Sequence, residues 1–355
     1  MFQNLSLKIK RSWIFVGLLI AGIVSIHLFS FWREAAEEDQ VFIDSFKKQY
    51  GVFALHIPDT LSFAGEPVPM HLWDIRERYD RELLVNTYWQ SQTMLFFKRA
   101  NRWFPVIEPI LEKHGVPNDF KYLALIESGL MNVVSPAGAT GFWQFLEGTG
   151  REFGLEVNAH IDERYHVEKA TEAACKYLLN ARERFGSWTL AAAAYNIGNA
   201  RLSRVMNTQR VGGYYDLHLN EETSRYMFRL LAVKTIFTDP AGSGFHFRPK
   251  DLYEPFNYTT MVVDTTIPDL VAFALQHNTT YKELRLLNPW LRDYELPNRS
   301  RKRYEIKIPL SAPEVKGDAS DSEEDNEEGF EPDGEEGSEP DGGEGHEPGA
   351  EEDSD

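Results

Sequence analysis

Residues 120–129 read Phe-Lys-Tyr-Leu-Ala-Leu-Ile-Glu-Ser-Gly, and this stretch decides the fold around it. Every position before Glu127 except Lys121 is apolar or aromatic, which predicts a helix that begins at Asn118 or Asp119 and is buried. The helix delivers Glu127 at its end. A carboxyl group at the mouth of an apolar helix is partly desolvated, which raises its pKa and suits it to act as a general acid.

Helical periodicity continues on both sides of this segment, from Trp103 to Leu231. No part of that span alternates as a strand does, so it predicts a mainly α domain over residues 100–240. Besides the helix ending at Glu127, the pattern predicts an apolar helix that stops at 114–117, followed by others at about 143–153, 167–185, 188–197 and 221–237.

Two further stretches have the composition of a sugar-binding surface. Residues 135–145 read Ser-Pro-Ala-Gly-Ala-Thr-Gly-Phe-Trp-Gln-Phe, a small-residue loop that lets backbone approach a ligand and that ends with aromatic side chains and Gln144. Residues 191–198 read Ala-Ala-Ala-Ala-Tyr-Asn-Ile-Gly, a closely packing helix that ends on Tyr195 and Asn196. Aromatic faces accept the C–H patches of sugars, and amides bind their hydroxyls.

The sequence carries three motifs in order: Glu127-Ser128, Gly141-Phe142-Trp143-Gln144 and Ala194-Tyr195-Asn196. Their residues and spacing resemble the motifs of the lytic transglycosylases of glycoside hydrolase family 23. The likeness is to the membrane-bound lytic murein transglycosylase D group. It implies a goose-lysozyme-like helical fold and cleavage of the β-1,4 bond between N-acetylmuramic acid and N-acetylglucosamine in peptidoglycan. In that chemistry one glutamate is both acid and base, and the muramic C6 hydroxyl attacks C1, which leaves a 1,6-anhydro end without consuming water.

The resemblance assigns roles to individual residues. It implies that Glu127 is catalytic, that no cofactor is needed, and that the glycan is bound by Ser128, Gln144, Tyr195, Asn196 and Tyr226. The sequence shows no second acid in a comparable motif, which favours transglycosylation over the paired-carboxylate hydrolysis of most glycosidases. Two alternatives stay open: a hydrolytic muramidase with the same fold, and a non-catalytic peptidoglycan-binding scaffold.

Other ionisable residues in this span are interpreted as structural. The acidic ones expected to be surface charges are Glu147, Glu152, Asp162 and Glu163. His160 and His166 lack the spacing on one helix face that zinc sites use, so no metal site is expected.

The N-terminus predicts a membrane anchor. Trp13 to Trp32 is a charge-free run of bilayer-spanning length, with Lys and Arg before it and acidic residues after it. Residues 1–32 are therefore interpreted as a cytoplasmic stub and anchor, and 33–99 as a stalk and helical prelude. This places the catalytic domain in the periplasm of a bacterial cell envelope; a cleaved signal peptide is the alternative.

The C-terminal third differs in character. Residues 251–310 place two short helical segments between β-like ends, which resembles the βααβ lysin motif, a small glycan-binding module. Residues 317–355 hold 19 acidic residues and no Lys or Arg, which predicts a disordered tail. Because that tail accounts for the net charge of −18, the rest of the chain is nearly neutral, which argues against nucleic acid as a partner.

Overall fold

The computed structural model describes residues 53–310. The predicted stub and anchor at 1–32, the first part of the predicted stalk and the predicted disordered tail at 317–355 lie outside that range. Among residues 53–310, no helix has both the length and the apolar character needed to cross a membrane.

The described chain forms a helical body followed by a small mixed module. The body contains a short hairpin, β1 (Leu61–Phe63) and β2 (Glu66–Val68), and the helices α1 (Trp73–Tyr88), α2 (Gln90–Lys113), α3 (Lys121–Ser128), α4 (Glu147–Glu152), α5 (Val167–Phe185), α6 (Trp188–Ile197), α7 (Asn199–Gln209) and α8 (Glu221–Thr238). The module consists of β3 (Tyr258–Val263), α9 (Leu270–Gln276), α10 (Tyr281–Leu287) and β4 (Tyr304–Pro309). The predicted fold class, a helical domain followed by a small βααβ module, is confirmed.

The β1–β2 hairpin lies in the segment that the sequence assigned to a stalk. Its two turn residues, Ala64 and Gly65, have φ angles of 51° and 80°, as a tight two-residue hairpin turn requires. The side chain of Phe63 is fully buried and belongs to the main core. The residues of this hairpin pack with the helical body, because the short strands carry apolar side chains that the main core buries.

Helix α1 also belongs to the body, since it packs along α8. The hydroxyl of Tyr79 in α1 donates to Oγ1 of Thr235 in α8 at 2.8 Å, and Tyr79 is completely buried. Helix α2 then runs without interruption past residue 100. The boundary predicted at residue 100 falls inside this helix, and the helical body begins before it.

Helix α6 forms the centre of the body because it is lined with the smallest side chains. The four alanines from Ala191 to Ala194 are buried. Their small side chains let the backbones of α5 and α8 each pack close to that of α6. The backbone N–H of Leu190 donates to the Ser187 hydroxyl at 3.0 Å and caps the first turn. Because Thr189 to Ala194 are all buried, α6 holds its C-terminal residues in a fixed position.

Two elements differ from the sequence prediction. Helix α4 begins at Glu147 rather than near 143, because Gln144 has a left-handed φ of 48° that cannot continue a helix. Helix α7 was not predicted. Its only buried residue is Leu202, so the sequence carries too little apolar periodicity to reveal it.

The C-terminal module has a second core, to which Ile161 and Tyr165 of the helical body also contribute, and one two-stranded antiparallel sheet, in which Tyr258 pairs with Pro309. The side chain of Asp269 accepts hydrogen bonds at the start of α9. Thr280 and Glu283 form a reciprocal capping box at the start of α10. These local signals explain why both short helices lie where the sequence predicted them.

Candidate active site

Glu127 occupies the last turn of α3, immediately before a sharp change of chain direction. The five residues from Tyr122 to Ile126 are buried, and the next two residues after the helix, Gly129 and Leu130, have φ angles of 62° and 55°. Left-handed backbone at two successive residues ends the helix at once. The Glu127 carboxyl group is therefore held at the helix end by a rigid, buried support.

Tyr226 of α8 meets this carboxyl group. Its hydroxyl donates to Glu127 Oε1 at 2.5 Å across 99 positions of sequence, and its side chain is buried. Burial and the neighbouring Glu127 raise the pKa of Tyr226 well above that of an ordinary tyrosine. Tyr226 thus stays a hydrogen-bond donor at neutral pH, and the structure brings together two residues to which the family resemblance separately assigns roles.

The pKa of Glu127 is raised above its ordinary value. Burial is the largest cause, and it outweighs the hydrogen bond from Tyr226 and the charge of Arg229, both of which lower the pKa. The charge of Glu222 adds to the rise. A carboxyl group that keeps its proton at higher pH is what general-acid catalysis near neutral pH needs.

Gln144 lies near the end of residues 133–145, which are part of the connection between α3 and α4 and are called the 133–145 loop. Its amide is fixed by the backbone of this loop. Its Nε2 donates to the carbonyl oxygens of Gly141 at 2.7 Å and Val133 at 3.2 Å. Because carbonyl oxygens only accept, they hold the NH₂ group and direct Oε1 away from them. No described hydrogen bond reaches Oε1, so this oxygen can accept from a sugar hydroxyl or acetamido N–H.

Ser128 has a different environment from the one expected of a substrate-binding residue. It is buried, and its hydroxyl lies 3.0 Å from the carbonyl oxygen of Phe142 and 3.2 Å from that of Ala124. The side chain therefore joins the end of α3 to the loop that carries Gln144. Its contacts fit a role in orienting the site rather than in contacting glycan.

Tyr195 and Asn196 lie at the end of α6, as predicted. The Tyr195 hydroxyl donates to the carbonyl oxygen of Trp143 at 2.7 Å, and burial and the nearby charge of Glu127 raise its pKa. Asn196 is bound by the start of α8: Oδ1 accepts from the Thr223 hydroxyl at 2.8 Å, and Nδ2 donates to Glu222 Oε1 at 3.3 Å.

The structure adds two charged residues that sequence reasoning missed. Arg229 and Glu222 both act on Glu127, and they lie three residues after and four residues before Tyr226. Residues at those spacings share a helix face, so the helical register around Tyr226 could have identified them.

The four acidic residues expected at the surface divide into two pairs. Glu147 and Glu152 are exposed, as predicted. Asp162 and Glu163 are only 7% and 2% exposed, so the surface assignment is wrong for them. Their burial is possible because Arg164 pairs with Asp162 at 2.7 Å, and Lys169 pairs with Glu163.

His160 and His166 lie beside separate carboxylates, Asp293 and Glu168, each at 3.1 Å. Across residues 53–310, no three His, Cys, Asp or Glu side chains come together in a group that could hold a metal ion.

Comparison with known families defines the class of these two regions. Residues 105–216 match the transglycosylase SLT domain, and residues 259–312 match the soluble lytic transglycosylase C-terminal LysM-like domain. The chain therefore carries an SLT domain followed by a LysM-like module. Tyr226, Glu222 and Arg229 lie beyond the matched SLT residues but pack into the same site.

Two curated relatives carry the same name, membrane-bound lytic murein transglycosylase D, from Escherichia coli strains K12 and O6:H1. Each is 29% identical to this chain over 187 residues, which is 50% of this chain and 40% of the relative. The chain thus aligns with less than half the length of these proteins, to which it is homologous.

Proposed function

We propose that this protein is a peptidoglycan lytic transglycosylase. The observation that carries the proposal is Glu127, a half-buried carboxyl group with a raised pKa that receives a hydrogen bond from Tyr226 within an SLT domain. A protonated carboxyl group in this position can donate to the glycosidic oxygen as the bond to C1 breaks.

The reaction needs no second carboxylate. As Glu127 gives its proton to the departing N-acetylglucosamine oxygen, positive charge develops at C1 of N-acetylmuramic acid. The resulting Glu127 carboxylate then takes the proton of the muramic C6 hydroxyl, whose oxygen bonds to C1. An intramolecular hydroxyl has a large effective concentration compared with a separate nucleophile, and the product is a 1,6-anhydro end.

Within this proposal, Gln144 and Asn196 contact the glycan through their amides, Tyr195 and Tyr226 line the cleft, and Ser128 orients the loop. The LysM-like module adds a second glycan contact. A cavity of about 380 Å³ lies between residues 262–269 and the face of α9 that carries Phe273, and it is the module's candidate binding site.

The location follows from the same proposal. Peptidoglycan lies outside the cytoplasmic membrane, and the charge-free run at 13–32 would hold the enzyme there with its catalytic domain in the periplasm.

Hydrolysis is the second candidate function, because Glu222 supplies a carboxylate near Glu127. It accepts a hydrogen bond from Asn196 at 3.3 Å and is exposed to solvent, so its free oxygen can hold a water molecule. Mass spectrometry of digested peptidoglycan separates the two: anhydro ends support transglycosylation, and reducing muramic ends support hydrolysis.

The decisive variant is Glu127→Gln, which keeps the shape of the side chain but cannot donate the acid proton. We expect its cleavage of purified peptidoglycan to fall below detection while its circular dichroism is unchanged. Glu112→Gln, at an exposed position of α2, is the matched control and should retain parental activity. Turnover of Glu127→Gln within tenfold of the parent would rule out Glu127 as the acid.

A further inference from the structure

A buried ion pair lies behind the loop that presents Gln144. Arg164 and Asp162 are 9% and 7% exposed, and the guanidinium makes two parallel hydrogen bonds to the carboxylate: Nε to Oδ1 at 2.9 Å and Nη2 to Oδ2 at 2.7 Å. This geometry fixes the plane of the guanidinium group. One nitrogen, Nη1, remains directed elsewhere.

Nη1 of Arg164 is directed at the loop. It donates to the carbonyl oxygens of Gly138 and Phe145, each at 3.2 Å, and Phe145 directly follows Gln144. The backbone of Arg164 also touches the loop, because a Cβ atom added to Gly141 would lie 2.0 Å from the Arg164 carbonyl oxygen. The loop is therefore held against this segment by a charged side chain and by direct backbone contact.

The loop needs such support at Gln144. A non-glycine residue with φ of 48° is conformationally unfavourable and persists only where the surrounding structure imposes it. The contacts of Arg164 with Gly138 and Phe145 lie on both sides of this residue. They hold the backbone in the conformation that turns the Gln144 amide toward Val133 and Gly141.

We propose that Arg164, oriented by Asp162, is a positioning residue that holds the 133–145 loop so that Gln144 meets the glycan. This inference rests on the proposed function, because it takes Gln144 as a glycan contact. A purely stabilising role explains the pair less well, since a buried ion pair contributes little net stability compared with apolar packing. Its directed contacts with the loop are what the positioning role requires.

The LysM-like module supports the opposite side of the same segment. The backbone N–H of Asp162 donates to the carbonyl oxygen of Trp290 at 2.9 Å, and that of Arg292 donates to the carbonyl oxygen of His160 at 2.8 Å. The Arg292 guanidinium lies 4.2 Å from the ring centre of Tyr165. The ion pair of Arg164 and Asp162 thus lies between the module and the 133–145 loop.

Arg164→Lys tests the proposal, because lysine keeps the charge but cannot form the planar two-bond pair with Asp162 while a separate nitrogen reaches the loop carbonyl oxygens. The measurement is the dissociation constant for a defined glycan, chitotetraose, in full-length Glu127→Gln protein, so that no bond is cleaved. We expect Arg164→Lys to weaken binding by up to about tenfold, because a displaced Gln144 loses its neutral hydrogen bond to the glycan.

A double-mutant cycle with Gln144→Ala distinguishes positioning from general destabilisation. If Arg164 acts through Gln144, Arg164→Lys should change binding less than about twofold once Gln144 is alanine. An equal loss in both backgrounds, or no loss when Gln144 is present, would overturn the proposal. Should Arg164→Lys fail to fold, Asp162→Asn replaces it in the same cycle.

The matched control is Arg248→Lys. Arg248 makes a similar two-bond pair with Asp251, Nε to Oδ2 and Nη2 to Oδ1, both at 2.9 Å, in the connection between α8 and the module. It should leave glycan binding unchanged. Because binding is measured without cleavage, a parent enzyme that proves hydrolytic would revise the proposed function and leave this test intact.

Discussion

Replacing Gly141 with alanine tests whether the 133–145 loop depends on direct backbone contact with Arg164. Gly141 has a φ of 79°, and an added Cβ atom would lie 2.0 Å from the Arg164 carbonyl oxygen and 2.9 Å from its carbonyl carbon. Neither backbone atom can move aside alone. Gly138, in the same loop, has a φ of 80° and no atom within 4 Å of its added Cβ, which makes it a matched control.

Both substitutions place alanine in left-handed backbone, but only Gly141→Ala also creates a steric overlap. Left-handed backbone costs an alanine about 1–2 kcal/mol relative to glycine, and this applies equally to both positions. The steric overlap at Gly141 adds a cost of the size seen for overpacked cores, about 1–3 kcal/mol. We therefore expect the free energy of unfolding to fall by about 1–2 kcal/mol for Gly138→Ala and by about 2–5 kcal/mol for Gly141→Ala.

Urea unfolding of the two variants and the parent gives both free energies, and digestion of peptidoglycan gives their activities. Gly141→Ala should also lose most of its cleavage at a temperature where it remains folded, because relieving the overlap moves the loop that carries Gln144. If the free energies of unfolding of the two variants differ by less than about 0.5 kcal/mol, a difference typical of surface substitutions, the close contact with Arg164 adds no cost and the reasoning fails.

Two other predictions concern pH. The hydrogen bond from Tyr226 lowers the pKa of Glu127, so Tyr226→Phe should raise that pKa further and move the alkaline limb of the kcat profile to higher pH. The pKa of Glu168 is lowered from 4.5 to about 2: burial raises it, but hydrogen bonds and charges of His166 and Lys307 lower it more. A carboxyl group whose pKa is lower in the folded than in the unfolded protein stabilises the fold, and this stabilisation is lost as pH falls from about 4.5 to about 2. Lys307→Met removes one cause of the lowered pKa. Thermal unfolding measured across that pH range should therefore show a smaller loss of stability for this variant.

Each pH prediction has its own control and its own contrary outcome. Tyr122→Phe changes a buried tyrosine of α3 that makes no described hydrogen bond to Glu127, and it should leave the kcat profile in place. An alkaline limb that stays fixed or moves to lower pH in Tyr226→Phe would contradict the first prediction. Lys113→Met removes an exposed ion pair with Glu172 and should not alter the acid dependence of unfolding, whereas an unchanged dependence in Lys307→Met would contradict the second.

Much of the fold follows from the sequence because its signals are local. Helix α6 has a serine before its first residue, a run of alanines and a glycine after its end, and it has the predicted bounds. Strand β4, over Tyr304–Pro309, forms one of the predicted β-like ends of the module, with buried side chains alternating along it. Where such a signal is weak the prediction failed, as for α7 with its one buried residue.

The candidate site was predictable only in part. The sequence alone indicated that Glu127 ends an apolar helix, and burial does raise its pKa. The family resemblance also implied a role for Tyr226, and the structure joins its side chain to that of Glu127. The sequence could not reveal that Ser128 is buried against backbone rather than exposed to glycan, because its orientation depends on where the Gln144 loop packs.

By itself, then, the sequence determined most of the helical segments and the position of Glu127 at the end of an apolar helix, because these depend on neighbours along the chain. Only the tertiary structure decided that Asp162 and Arg164 are buried behind the Gln144 loop and that the module contacts the same segment. Those contacts join residues far apart in sequence, and burying their charges is favourable only when the opposite charge and the carbonyl acceptors are already in place.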